Sequence, residues 1–198
     1  MADIERRIVD AGLEVRGEDE KRTLVGYAAK FNVRSEDLGG FVESIAPGAF
    51  DRAISEGHDV RALWNHNPDV VLGRTKAGTL RLSVDEVGLR IETDLPDTQA
   101  ARDLRVSVAR GDVSQMSFGF RTKGDEWRTE DGVPYRTLTD LDLYDVSPVT
   151  YPAYPQTEVS VRALDQAREL AAPAPPPAAP VERLARQIVA LERDAQEG

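Results

Sequence analysis

The sequence predicts an α+β domain built mainly from antiparallel strands, arranged as a sheet or barrel, and three observations carry that reading. Short runs rich in β-branched and aromatic residues recur from Arg22 to Val149, separated by glycine-containing turns. Two stretches show helical spacing between them, and a tract of alanine and proline follows the last strand-like run.

The first run, RTLVGYAAKFNV from Arg22, reads as a strand broken at Gly26, so the folded body begins near residue 10 or earlier. SEDLGGFVESI reads as a loop with Gly39-Gly40 as its breaker. Pro47 then stands at a first helical position, and Phe50, Ala53 and Ile54 recur at helical spacing before Gly57, which predicts a short helix over 47–56. DVRALWN, residues 59–65, forms a strand leading into His66. Three further strands over 70–74, 78–84 and 88–94, with turns at Lys76-Ala77-Gly78 and Asp85-Glu86-Val87-Gly88, read as an antiparallel meander. Asp97 or Thr98 caps a helix through Arg110, with Ala101, Leu104 and Val108 on one face and Gly111 ending it. SQMSFGFRTKGDEW is the next strand. Gly124-Asp125 and Asp131-Gly132, with Pro134, mark turns before the last strand, YRTLTDLDLYDVSPV.

The globular part is expected to span 1–164. Residues 165–180 read as a linker: AAPAPPPAAP can sustain neither helix nor sheet and behaves as a semi-rigid spacer. Over 181–198, Val181, Leu184, Ile188 and Leu191 step by coiled-coil spacings on a charged segment, which predicts a short amphipathic helix that needs a partner.

A chain of 198 residues can bury a real core. Its 35 acidic against 25 basic residues give a formal charge of −10, which argues against a nucleic-acid partner. The absence of cysteine removes disulfides, thiolate metal sites and a cysteine nucleophile, and fits a reducing, cytoplasmic setting. The charged N-terminus does not read as a secretory signal, and no apolar run is long enough to span a membrane. There is no His-Glu-x-x-His helix and no glycine-rich phosphate loop, so neither a metal nor a cofactor is expected.

A serine hydrolase needs a hydroxyl, a base to take its proton and a group to orient that base. With two histidines, the candidate bases are few. His58 sits at a helix stop beside Asp59, a position more often solvent-exposed than functional. His66 ends a strand before Asn67-Pro68 and, from the residues alone, is better read as an ordinary turn histidine. In Gln115-Met116-Ser117-Phe118-Gly119-Phe120, alternation puts Met116, Phe118 and Phe120 on the apolar face and Ser117 on the other. Gly119 leaves Ser117 a neighbour with no side chain, where a substrate backbone could approach. Ser117 equally fits a small residue on a polar strand face, and Ser114 lies on the opposite parity. Asp140 and Asp142 alternate onto the polar face between Leu141 and Leu143. Asp145 would point inward unless a bulge between Leu143 and Val146 turned it outward. A solvated strand edge is the ordinary reading for such acids.

Together, GYAAKFN, the IAPGAF helix start, WNHNPDVVLGR, VSQMSFGF and DVSPVTYPAYPQT, in that order over residues 22–163, resemble the prohead maturation proteases of tailed bacteriophages and prophages. These are serine peptidases related in fold to the herpesvirus assembly proteases. The resemblance implies a herpesvirus-protease-like β-barrel with flanking helices. It implies His66 as general base, Ser117 as nucleophile and Asp145 as orienting group, with Asp140 or Asp142 as alternatives for the last role. The implied activity is a serine endopeptidase that cleaves scaffold and major capsid protein segments, and itself, during head maturation. That work would take place within the assembling prohead in the bacterial host cytoplasm, and the resemblance leaves room for a homodimer. A reading from another class is a non-catalytic capsid-assembly or scaffolding protein with a protease-like domain, motivated by the coiled-coil-like tail, the acidic charge and the unsettled third residue.

Overall fold

The computed structural model describes residues 4–17, 22–151 and 161–172. In chain order the strands are β1 (Glu5–Asp10), β2 (Glu14–Arg16), β3 (Thr23–Lys30), β4 (Val42–Ile45), β5 (Arg61–Trp64), β6 (Asn67–Arg74), β7 (Leu80–Val84), β8 (Gly88–Asp94), β9 (Gln115–Glu130) and β10 (Val133–Val149). Three helices join them: α1 (Asp51–Ser55), α2 (Gln99–Arg110) and α3 (Val161–Ala171).

The strands form two sheets. One has the order β1-β9-β10-β5-β6 with β4 also paired to β10, and the other has the order β2-β3-β8-β7. Most pairings are antiparallel, but β10 runs parallel to β4 at Tyr135–Leu138 and to β5 at Asp145–Val146. This is the expected α+β class. The expected barrel, however, is not closed. At one margin the chain leaves β1 through Ala11, whose backbone makes single bonds to Ser114 and from Tyr27 instead of a ladder. At the other it leaves β6 through a 3-10 turn at Thr75–Ala77, so the predicted meander is divided, with β5 and β6 in one sheet and β7 and β8 in the other.

The core lies between these sheets. Met116, Phe118 and Phe120 of β9 are fully buried there, each contributing roughly 1.5–3 kcal/mol. Phe118 stacks on Phe120 at 5.0 Å and meets Phe50 edge-on at 5.7 Å. Helix α2 covers one end with Ala101, Leu104 and Val108 buried. The Thr98 side chain accepts from Ala101 N, and left-handed Gly111 caps the C-terminus.

Several local expectations change. β3 runs through Gly26 without a break; a side chain there would press on Leu13, and the irregularity falls instead between Tyr27 and Ala29. The helix expected over 47–56 is reduced to Asp51–Ser55, since Gly48 takes a left-handed φ of +90° and residues 47–50 turn. Gly124-Asp125 makes no turn: β9 continues to Glu130, and Gly124 packs against Thr139 and Asp140 at a register shift. Strands β1, β2 and β4 arise where the sequence suggested none. The boundary expected at residue 164 falls inside α3, which runs on through Ala171 into residues assigned to the linker. Ala163 and Ala167 of α3 pack against Leu38 and Phe41. The rest of the spacer and the helix expected over 181–198 lie outside the described residues.

Candidate active site

His66 lies within the turn joining β5 and β6, not at the end of a strand. Trp64 pairs with Asn67, so Asn65 and His66 form a two-residue hairpin loop, with φ of 55° and 56°. Positive φ at both central positions is the mark of a type I′ turn, which prefers Asn first and Gly second. A histidine at the second position costs about 1–2 kcal/mol in left-handed backbone. The turn is held by the end of β10: Asn65 N donates to Pro148 O at 3.0 Å, Thr150 N donates to Asn65 Oδ1 at 2.9 Å, and Asn65 Nδ2 donates to Thr150 Oγ1 at 3.2 Å.

Ser117 stands mid-strand on β9, opposite Ile8 of β1 and Ser147 of β10. It projects from the face opposite Phe118, and it is itself fully buried. Asp145 reaches the same face through a bulge. Leu143 pairs with Phe120 and Asp145 with Gly119, leaving Tyr144 as the extra residue. The bulge lets both Leu143 and Val146 enter the core while the carboxylate turns toward Ser117's side.

The three side chains meet. His66 Nε2 lies 2.7 Å from Ser117 Oγ, and His66 Nδ1 lies 2.5 Å from Asp145 Oδ2. A carboxylate can only accept, so Nδ1 carries the proton and Nε2 of the neutral ring accepts from the serine hydroxyl. That leaves a basic nitrogen against the hydroxyl, in the geometry that proton abstraction requires.

The space beside Ser117 is not open to substrate as expected. At Gly119 a Cβ would collide with Asp145 Oδ1, so the missing side chain admits the carboxylate instead. Ser147 is a residue the sequence reading missed: its hydroxyl donates to Asp145 Oδ2 at 2.7 Å. The signal was present in Asp145-Val146-Ser147, whose i, i+2 spacing puts both polar groups on one side of a strand.

The other candidates lie elsewhere. Arg52 of α1 donates through Nε to Asp140, at 3.0 Å to each oxygen, and through its terminal nitrogen to Asp142 at 2.7 Å. Burial works to raise the Asp142 carboxyl, and the hydrogen bond and charge of Arg52 more than offset it, holding it below the usual carboxylate range. His58 Nε2 contacts Glu56 at 3.2 Å, and Ser114 is exposed ahead of β9. Among the described residues, no group of three or more His, Asp and Glu side chains is placed to hold a metal ion. No helix among them is long and apolar enough to cross a membrane.

On the core side, past Phe120, a buried ionic cluster fixes β1 beside β9. Arg136 donates to Glu5 at 2.9 Å, to Glu43 at 3.0 Å and to Asp125 at 2.8 Å, while Arg7 donates to Glu5 and to Glu43, each at 2.8 Å. Burial alone would raise the Glu5 carboxyl, but the hydrogen bond from Arg136 and the charges of Arg7 and Arg136 hold it down to about 2.

Serine, histidine and aspartate side chains in successive contact, here on an α+β fold of mostly antiparallel strands, form an arrangement that serine peptidases use. The chain belongs to the caudovirus prohead serine protease family, which it matches over residues 10–170. Among solved structures it is similar to the bacteriophage T4 capsid assembly protease, gp21, with a TM-score of 0.50 and 8% identity over 74% of this chain and 98% of that one. At that identity the likeness is one of fold. No curated protein sequence matches the chain.

Proposed function

We propose that this protein is a serine endopeptidase acting through an acyl-enzyme, with Ser117 as nucleophile, His66 as general base and Asp145 as the group that orients His66. The observation that carries the reading is the position of the His66 imidazole between Ser117 Oγ and Asp145 Oδ2. As Ser117 attacks a peptide carbonyl, its proton passes to Nε2, and the imidazolium is stabilised through Nδ1–H by Asp145. Nε2 then protonates the leaving amine, and water repeats the sequence to release the acyl group. Ser117 has no exposed surface, so acylation requires the His66 turn or the side chains around it to make room for substrate.

The family, and the T4 protein's designation as a capsid assembly protease, support capsid-assembly proteins as the substrates. They are scaffold and major capsid protein segments, and the protease itself, cut within the assembling prohead in the host cytoplasm. Kinship of fold with the herpesvirus assembly proteases belongs to the same proposal and rests on the order of motifs. A homodimer is compatible with the reading and is not required by it. A non-catalytic scaffolding role would place no demand on these three side chains to meet.

The test is co-expression with the neighbouring capsid protein. Wild type is expected to yield shortened capsid protein and Ser117→Ala only the full-length chain. Identical band patterns from the two, under conditions where heads mature, would overturn the peptidase reading in favour of the scaffolding one.

A further inference from the structure

We infer that Ser147 is a positioning residue for this site, holding the Asp145 carboxylate in the orientation that lets it serve His66; the inference rests on the serine-peptidase reading above. Asp145 Oδ2 takes two donors, Nδ1–H of His66 at 2.5 Å and the hydroxyl of Ser147 at 2.7 Å. Because a carboxylate has no proton to give, the Ser147 hydroxyl must donate, which fixes its rotor. The other oxygen, Oδ1, lies in the space left by Gly119. The carboxylate is thus held by the imidazole, the Ser147 hydroxyl and the bare backbone of β9. Rotation about the Asp145 side chain would break two charge-assisted hydrogen bonds at once.

Ser147 is placed for this by register. It stands directly opposite Ser117, is fully exposed to no solvent, and shares a strand face with Asp145 two residues before it. Here the hydroxyl has one defined partner, and that partner is the candidate orienting acid.

Loss of the hydroxyl has two effects that a packing role lacks. The carboxylate becomes freer to rotate, which slows the step that needs an aligned imidazole. Its charge is also shared with one donor fewer, so it stabilises the His66 imidazolium more strongly. The test measures kcat, KM and the pH profile of peptide cleavage for Ser147→Ala and Ser147→Cys, the second nearly isosteric but a weak donor, with Ser147→Thr as the variant that restores a hydroxyl and Ser117→Ala alongside. The expected result for Ala and Cys is a fall in kcat on the order of tenfold or more with KM unchanged, and an acid limb of the kcat/KM profile moved to higher pH, with Thr recovering much of both. Wild-type kcat and pH profile in both Ala and Cys, or a loss of thermal stability with no change in profile, would overturn the inference. Cleavage by Ser117→Ala would instead overturn the peptidase reading itself, so the two failures are distinct.

Discussion

Gly119 and Asp145 stand directly opposite each other on β9 and β10, and the Asp145 carboxylate fills the space that any side chain at position 119 would occupy. Gly119→Ala is therefore expected to displace the carboxylate from His66. It should destabilise the fold by roughly 1–3 kcal/mol through overpacking and abolish most cleavage. In an Asp145→Ala background the same change should cost much less. A double-mutant cycle on urea midpoints with a coupling below about 0.5 kcal/mol would show that the two positions do not compete for space.

Asp145 and its two neighbours on β10 should separate cleanly. Asp145→Asn leaves a side chain of the same shape but removes the charge that fixes the His66 tautomer. A fall in kcat of roughly 10³- to 10⁴-fold is expected, with the fold retained. Asp140→Asn and Asp142→Asn weaken partly exposed bonds to Arg52, worth about 0–1 kcal/mol, and should leave cleavage at the wild-type rate. Single-turnover kinetics on the three variants would decide the assignment, and a large loss in Asp142→Asn with none in Asp145→Asn would reverse it.

The left-handed backbone at His66 gives a stability prediction independent of catalysis. His66→Gly and His66→Ala lose the same imidazole contacts, but only glycine is at ease at φ of 56°. The glycine variant should be the more stable by about 1 kcal/mol in chemical denaturation, and neither should cleave. Equal stability would mean that the turn relaxes once the imidazole is gone.

The ionic cluster around Glu5 predicts how stability responds to acid. Its carboxyl lies at about 2 in the folded chain against an ordinary 4.5, so it adds stability above about pH 4.5 that is lost as pH falls through about 2. The full effect is on the order of 3 kcal/mol. Glu5→Gln should flatten the urea midpoint between those two pH values relative to wild type. A midpoint that falls as steeply in the variant would place the acid sensitivity elsewhere.

Much of this site was legible locally. The alternation Met116, Phe118, Phe120 fixed which way Ser117 faces, because three large apolar side chains must share the buried side. The need to bury both Leu143 and Val146 pointed to the bulge that turns Asp145. Helix α2 was readable from Thr98, Gly111 and the buried triplet between them. What escaped depends on partners distant in the chain. Glu5, Arg7, Glu43 and Arg136 look like ordinary surface charges until β1, β4, β9 and β10 come together, and they mask β1 and β4 as polar loop. Gly119 was read as a gap for substrate because its occupant arrives from a strand 26 positions later. The order in which β6 and β7 divide between sheets is likewise set by the turn at Thr75–Ala77, which no hydrophobic period announces.

Because β10 is the parallel partner of both β4 and β5, neither of those strands can complete its pairing until the chain has been made through β10. Synthesis proceeds at roughly 5–20 residues per second, whereas a hairpin such as β5-β6 closes in about 1–10 μs. The His66 turn can therefore close before β9 and β10 have been made. Ser117, 51 positions on, and Asp145, 79 positions on, come with the final pair of strands, which also supply the partners for β4 and β5. A chain that ends before Asp145 has no carboxylate beside the His66 ring, and one that ends before Ser117 has neither of its partners. The contact of His66 with both Ser117 and Asp145 is thus completed only by the last strand.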